Sequence, residues 1–471
     1  MRTPPPSLQQ PGQRRPQAAR PQHRSKRFAL LCACATLGGF CAMSVARAAG
    51  DPAGPYRKLD VFSHVLSLIQ NNYVEDVDDA KLLYGAIDGM VRTLDPHSTF
   101  MEPKAYAALK QETDGEYGGV GLEIAVRGDD VVVVSPVDES PASRAGLSTG
   151  DRLLEIDGAQ TRGWKESDAV KALMGAPGTK CVVKVARSSW PEAHTVTLVR
   201  DVIRVVSVEH RLYDRRYGYV KIKNFQDRTD SYLKKALDSL RAQAGGQLAG
   251  VVLDLRRNPG GLLDQAVKVA DRFLVEGVIV TTKGRNGKHV EVERAHAKDT
   301  EPSYPMIVLV DGGTASASEI VAGALQDHGR AVVMGTPTFG KGSVQTVIEL
   351  EDGSGLKLTI ARYYTPTGRS IQEKGITPDL FVRPQAGPAV AGDDDPPREK
   401  NLPNHFKAEE AMASVVPASA PATPRLPQQA GDPSDDFQLK SALDTLRTWQ
   451  IFRASVLGNP SVGTKAASAT P

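Results

Sequence analysis

From Tyr217 onward, short apolar runs alternate with longer amphipathic ones, and that alternation leaves few folds open. Gly218–Ile222, Val251–Leu255, Met306–Val310 and Ala331–Met334 read as buried strands, with helices over Ser231–Ala242, Leu262–Leu274 and Ser318–Gly329 between them. A helix between successive apolar strands predicts an α/β layer with right-handed crossovers. The 471 residues also exceed one ordinary core and predict two or three folded units.

The formal charge of +3 hides an asymmetry. Residues 1–48 hold eight Lys/Arg and no acid; setting those eight aside from 58 leaves 50 basic against 55 acidic side chains. A body of that sign has no electrostatic reason to bind nucleic acid. Arg24, Lys26 and Arg27 precede an uncharged apolar run, Phe28 to Val45, and Ala46-Arg47-Ala48 has the small-x-small form of a cleavage site. Residues 1–48 therefore read as a signal peptide, with an uncleaved membrane anchor as the rival. Cys32, Cys34 and Cys41 lie in that run, so Cys181, in the strand-like Cys181–Val185, is expected as a packed core residue with no disulfide partner.

Residues 49–112 read as a helical segment, with apolar spacing from Val61 to Ile69 and from Leu82 to Val91, broken at Leu94-Asp95-Pro96-His97-Ser98. Residues 113–200 change to short strands with Gly/Asp turns and one helix, Lys165–Met174, a small β-rich module. The run Gly118-Gly119-Val120-Gly121-Leu122 precedes a strand, where free backbone N–H groups suit a terminal carboxylate while the peptide adds to the sheet edge. With Ala142–Leu147 and Gly150–Gly158 behind it, the segment resembles a PDZ domain. Residues 201–383 carry the α/β alternation. Residues 384–435 are Ala/Pro-rich and polar and read as a disordered linker, and 436–471 as a final helix and tail.

Ser316 lies in Gly313-Thr314-Ala315-Ser316-Ala317-Ser318-Glu319, after a strand and at a helix start. The turn would expose its hydroxyl, and the helix N-terminus would offer N–H groups to an oxyanion. The competing reading is a simple N-cap by Ser316 or Ser318, with Glu319 completing the first turn. Lys341 follows the next strand, in Thr338-Phe339-Gly340-Lys341-Gly342-Ser343, and adjacent parallel strands would bring both loops to one sheet edge. A lysine serves as general base once burial lowers its pKa towards ~7–8. No acid occurs between Met334 and Ile348, and Gln345 could orient the lysine. Gly335–Lys341 imitates a phosphate-binding loop, yet Gly342 replaces the magnesium-binding hydroxyl and a strand follows. His328 falls at a helix end and reads as a C-terminal cap.

These stretches, with Leu94–Ser98, Asp254–Gly261, Pro366–Gln372 and Gly375–Asp379, resemble the C-terminal processing (tail-specific) serine peptidases across residues 57–383. Thr314 stands where many members have serine. The resemblance implies an α/β (crotonase-like) protease core, Ser316 as nucleophile, Lys341 as general base and Gln345 as its partner. It places the oxyanion hole on the N–H groups of Ala317 and Gly261, with Gly260 the less favoured neighbour. It implies no metal or cofactor, protein or peptide substrates with free apolar C-termini, and a bacterial periplasmic location or the outer face of the inner membrane. An adaptor protein and membrane association stay open. The alternative is a PDZ scaffold on a non-catalytic α/β domain.

Overall fold

The computed structural model describes residues 55–384, 398–408 and 436–456; the expected leader and most of the expected linker lie outside them. The chain divides into two compact units, one through Leu83 and one from Tyr84. The first contains α1, Pro55–Asn72, and the opening of α2, Asp79–Arg92, whose N-terminus is capped by Asp78 Oδ1 accepting from the Ala80 N–H at 2.9 Å. The second begins with the rest of α2, then β1, Thr99–Met101, and α3, Pro103–Asp114. Among the described residues no helix is long and apolar enough to cross a membrane.

Next come β2, Glu116–Gly119, β3, Leu122–Arg127, β4, Asp130–Pro136, the short α4, Pro141–Arg144, β5, Arg152–Ile156, β6, Ala159–Gln160, α5, Glu166–Leu173, β7, Lys180–Ala186, β8, His194–Val199, and β9, Asp201–Arg204. Antiparallel pairing gives the order β3-β4-β5-β7-β8, with β6 on β5 and a separate β2–β9 ribbon. Strand alternation sends Val131, Val133, Leu153, Val183 and Val185 into a small core beneath Ala169 and Leu173 of α5. Cys181 lies in that core, fully buried, and burial pushes its thiol up to about 11. It is a packing residue, as expected.

The larger α/β layer follows. Its elements are β10, Val208–Tyr213, β11, Tyr217–Ile222, α6, Thr229–Ala244, β12, Gly250–Asp254, α7, Leu263–Asp271, β13, Val278–Gly284, β14, Val290–Arg294, β15, Met306–Val310, α8, Ala317–Asp327, β16, Val332–Gly335, β17, Ser343–Glu349, β18, Gly355–Tyr364, β19, Leu380–Phe381, and α9, Phe437–Val456. The main sheet runs β10-β11-β12-β15-β16-β19, parallel from β11 to β19, as the alternation predicts. The antiparallel pair β13–β14 is not predicted by that alternation. It joins β1, β17 and β18 in a second sheet.

Both faces of the main sheet are covered, which is why its strands read as unbroken apolar runs. Val251, Leu253, Val308 and Val310 meet Leu237 of α6, Val269 of α7 and Val321 of α8. The alternate residues Val252, Ile307, Leu309 and Met334 meet Leu439, Leu443 and Leu446 of α9. Each such buried leucine contributes about 1.5–3 kcal/mol. Arg256 adds a buried tether: Nη2 donates to Asp254 and to Asp436, both at 2.6 Å, and Nη1 to Gln438 at 3.0 Å. Removing one partner would leave an uncompensated buried charge, a cost of about 3–5 kcal/mol.

Residues 398–408, inside the stretch expected as linker, pack against the core instead. Glu399 is fully buried because His97 and Gln372 supply its hydrogen bonds. An isolated polar composition gives no hint of such partners.

Candidate active site

Three loops converge at the C-terminal ends of β12, β15 and β16. After β15, Asp311 Oδ1 accepts the N–H groups of Arg257 (2.9 Å) and Gly313 (2.8 Å), and Thr314 Oγ1 donates to Leu255 O at 2.8 Å. Asn258 O accepts from the Ala315 N–H at 3.0 Å and from Ser318 Oγ at 2.9 Å. Ser318 is thus buried with its hydroxyl spent on the scaffold. Ser316 is partly exposed and begins α8 with φ 58° and ψ −119°, a strained backbone for a residue with a Cβ. Strain at a strand-to-helix turn lifts a side chain clear of the sheet edge.

The Ser316 hydroxyl accepts a hydrogen bond from the Tyr363 phenol at 2.8 Å. Tyr363 is buried at the end of β18, and burial drives its pKa well above the ordinary phenol range. Sequence reasoning missed this residue, since a tyrosine closing an apolar strand carries no mark of where its hydroxyl points.

Glu319 was expected only to complete the first turn of the helix. Its fully buried carboxylate accepts the N–H of Ser316 at 2.8 Å, of Gly340 at 2.8 Å and of Lys341 at 2.9 Å, and the Thr338 hydroxyl. One side chain therefore ties the serine loop to the lysine loop. Burial lifts its carboxyl to about 7, against the pull of those hydrogen bonds.

Lys341 lies between β16 and β17, the parallel pairing of Val310 with Gly335 having brought its loop beside that of Ser316. Among the described residues its ammonium makes no hydrogen bond or ion pair. Burial, aided by Lys357 on β18, lowers it to about 8, although Glu399, Glu319 and Asp95 pull the other way. The sequence window empty of acids thus does not describe the space around the lysine, since all three carboxylates come from elsewhere in the chain. No hydrogen bond joins Lys341 to Ser316 or to Gln345 among the described residues. Gln345 Nε2 instead donates to Ser343 Oγ at 2.9 Å and Thr359 Oγ1 at 3.4 Å.

Gly260 and Gly261 face this corner from the loop after β12. A Cβ on Gly260 would fall 2.9 Å from Ser316 Cβ, so only glycine allows the approach. The Gly260 N–H is spent on Asn258 Oδ1 at 2.9 Å, whereas those of Gly261 and Ala317 donate to no described residue. His328 sits at the opposite end of α8, where its Nε2 meets Val278 O at 2.7 Å, away from Ser316.

In the smaller module the expected glycine loop is shorter than the sequence suggests. Gly118 and Gly119 pair with Val202 and Asp201 in the β2–β9 ribbon, leaving Val120 and Gly121 as the turn into β3. Their carbonyls accept from Ala142 and Val137, and the Gly121 N–H donates to no described residue, whereas Val120 follows the bridge of Gly119 with Met174. Leu122 opens β3, an edge strand whose outer side pairs with no described strand.

Comparison with known proteins identifies the family. Peptidase family S41 matches residues 216–382, a PDZ domain 132–187, and the activating protease CtpB N-terminal domain 43–105. A carboxy-terminal-processing protease of Bartonella bacilliformis is 42% identical over 395 residues, 83% of this chain and 89% of that one. The carboxy-terminal processing protease CtpA of Bacillus subtilis is 35% identical over 325 residues, 69% and 68% of the two chains. Among solved structures, a photosystem II D1 C-terminal processing protease is 32% identical, covering 68% of this chain and 92% of that one with a TM-score of 0.40. Identity of this depth along most of both chains, over an S41 core with a PDZ domain, means that the chain belongs to the carboxy-terminal processing serine peptidases.

Proposed function

We propose that this peptidase cuts proteins near their C-termini with Ser316 as nucleophile and Lys341 as its general base. Neutral Lys341 Nζ takes the Ser316 proton as Oγ attacks the scissile carbonyl carbon, and returns it to the leaving amine. Water, activated by the same lysine, then releases the acyl group. The oxyanion is held by the N–H groups of Gly261 and Ala317, both without a described partner. Gln345 has its amide nitrogen engaged, so its amide oxygen is the atom left to orient the lysine. The Val120–Gly121 turn and the open edge of β3 receive the substrate's free C-terminus. The leader, residues 1–48, directs the chain to the periplasm or the outer face of the inner membrane.

The observation that carries this reading is the half-buried Lys341, without a partner among the described residues and lowered to about 8, in the loop beside that of a serine on a strained turn. Ser316→Ala should lower cleavage of an unstructured protein at least about thousandfold with the fold intact by circular dichroism. Ser318→Ala, which removes one scaffold hydrogen bond, should cost about 1–3 kcal/mol of stability and retain measurable turnover. Loss of turnover in Ser318→Ala but not in Ser316→Ala would assign the nucleophile wrongly.

A further inference from the structure

The turn Asp95–Ser98 reaches β17 by one route and the lysine loop by another. Asp95 Oδ1 accepts the N–H groups of His97 and Ser98, both at 2.8 Å, and the Thr359 hydroxyl at 3.2 Å, and Thr359 in turn accepts from Gln345. On the other route His97 Nε2 meets the two oxygens of Glu399 at 3.0 and 2.8 Å. Gln372 Nε2 donates to Glu399 at 2.8 Å, and Gln372 Oε1 accepts the N–H of Gly342, the residue after Lys341, at 2.9 Å. The segment carrying Glu399 is fastened along its length. Arg398 Nη2 donates to Thr338 O at 2.7 Å, the Glu399 N–H to Phe339 O at 3.2 Å, and Gln372 Nε2 to Phe406 O at 2.9 Å. His405 Nε2 lies 2.6 Å from Glu373.

We propose that residues 398–408 form a strap belonging to the active site, with Glu399 as a positioning residue. Braced by His97 and Gln372, its carboxylate fixes the lysine loop and biases the charge of Lys341. The strap lies beyond the stretch that matches the peptidase family, residues 216–382. The Glu399 carboxylate has no solvent exposure and lies against a histidine with 13%, so its hydrogen bonds to His97 and Gln372 must offset the cost of burying it. The charged and titratable groups around the pair are Lys341 in its loop, Lys357 and Tyr363 on β18, Glu319 on α8, Asp95 in the turn and His405 in the strap. This inference rests on Lys341 acting as base.

The test uses the full chain and an unstructured peptide reporter, with kcat and KM measured from pH 6 to 10. Glu399→Gln keeps the shape and removes one negative charge, so the midpoint of the alkaline rise should fall by about one pH unit. Glu399→Ala also removes the brace, and kcat should drop roughly ten- to hundredfold with KM nearly constant. An unmoved midpoint in Glu399→Gln overturns the proposal, even where Glu399→Ala fails to fold. A drop in kcat matched by a fall in melting temperature, with no shift in midpoint, also overturns it, as a purely structural tie. Lys341→Arg separates the two ideas: a dead arginine variant with an unmoved Glu399→Gln midpoint sinks the strap alone, whereas an active one sinks the base.

Discussion

Around Lys341, three carboxylates favour the ammonium while burial and Lys357 favour the amine, and the balance lies at about 8. A base works only unprotonated. Below that value the neutral fraction should climb tenfold per pH unit, and above it the rate should level and persist, since no described partner re-protonates the group. Arginine cannot give up its proton, so Lys341→Arg should abolish cleavage across the whole range; an arginine variant that turns over would remove the lysine from the mechanism. Ser316 and Lys341 were legible in the sequence because each follows an apolar strand at a loop, and parallel pairing does the rest. Tyr363, Glu319's second role and Glu399 were not. Their partners lie far away in the chain, and Glu399 stands in a stretch whose composition argues for disorder. Hydrogen-bond partners across such separations have no periodicity to betray them.

At the scale of elements, β3 presents an edge that pairs with no described strand, next to a turn whose Gly121 N–H has no described acceptor, with α5 packed beside it. Backbone donors grip a carboxylate more strongly than an amide, a charge-assisted bond being worth about 1.5–3 kcal/mol. A matched pair of peptides, free acid and C-terminal amide, should therefore differ roughly ten- to hundredfold in KM. Equal values for the pair would mean that this edge reads something other than termini. Four of the six strands of the main sheet, β11, β12, β15 and β16, and the helix of the small module lie within one or two residues of their sequence-based bounds, because burial leaves a plain signal, whereas the more exposed edge strands β10 and β19 carry none. Partly exposed β13 and β14 mix charge with apolar residues, as in Val290-Glu291-Val292-Glu293, and escaped notice. Gly118 and Gly119 read as loop because glycine suggests a turn, yet ribbon pairing with β9 claims them.

For the molecule as a whole, sequence composition located the ends but not their uses. If residues 1–48 direct export as proposed and Ala46-Arg47-Ala48 is the cleavage site, sequencing the purified protein from its N-terminus should read from about Ala49. Recovery of residue 1 in a membrane fraction would favour a retained anchor. The final helix was visible as an amphipathic stretch, although nothing in it announced that Asp436 completes a buried ion cluster with Arg256.

That helix also governs when the enzyme becomes whole. Until α9 arrives, Tyr217, Tyr219, Val252, Ile307, Leu309 and Met334 form a bare apolar wall, and Arg256 lacks half its counter-charge. Ribosomes deliver α9 after every catalytic loop has been made. A chain lacking α9 would therefore carry the proposed reactive side chains on a support that is missing one apolar face and half the counter-charge of Arg256.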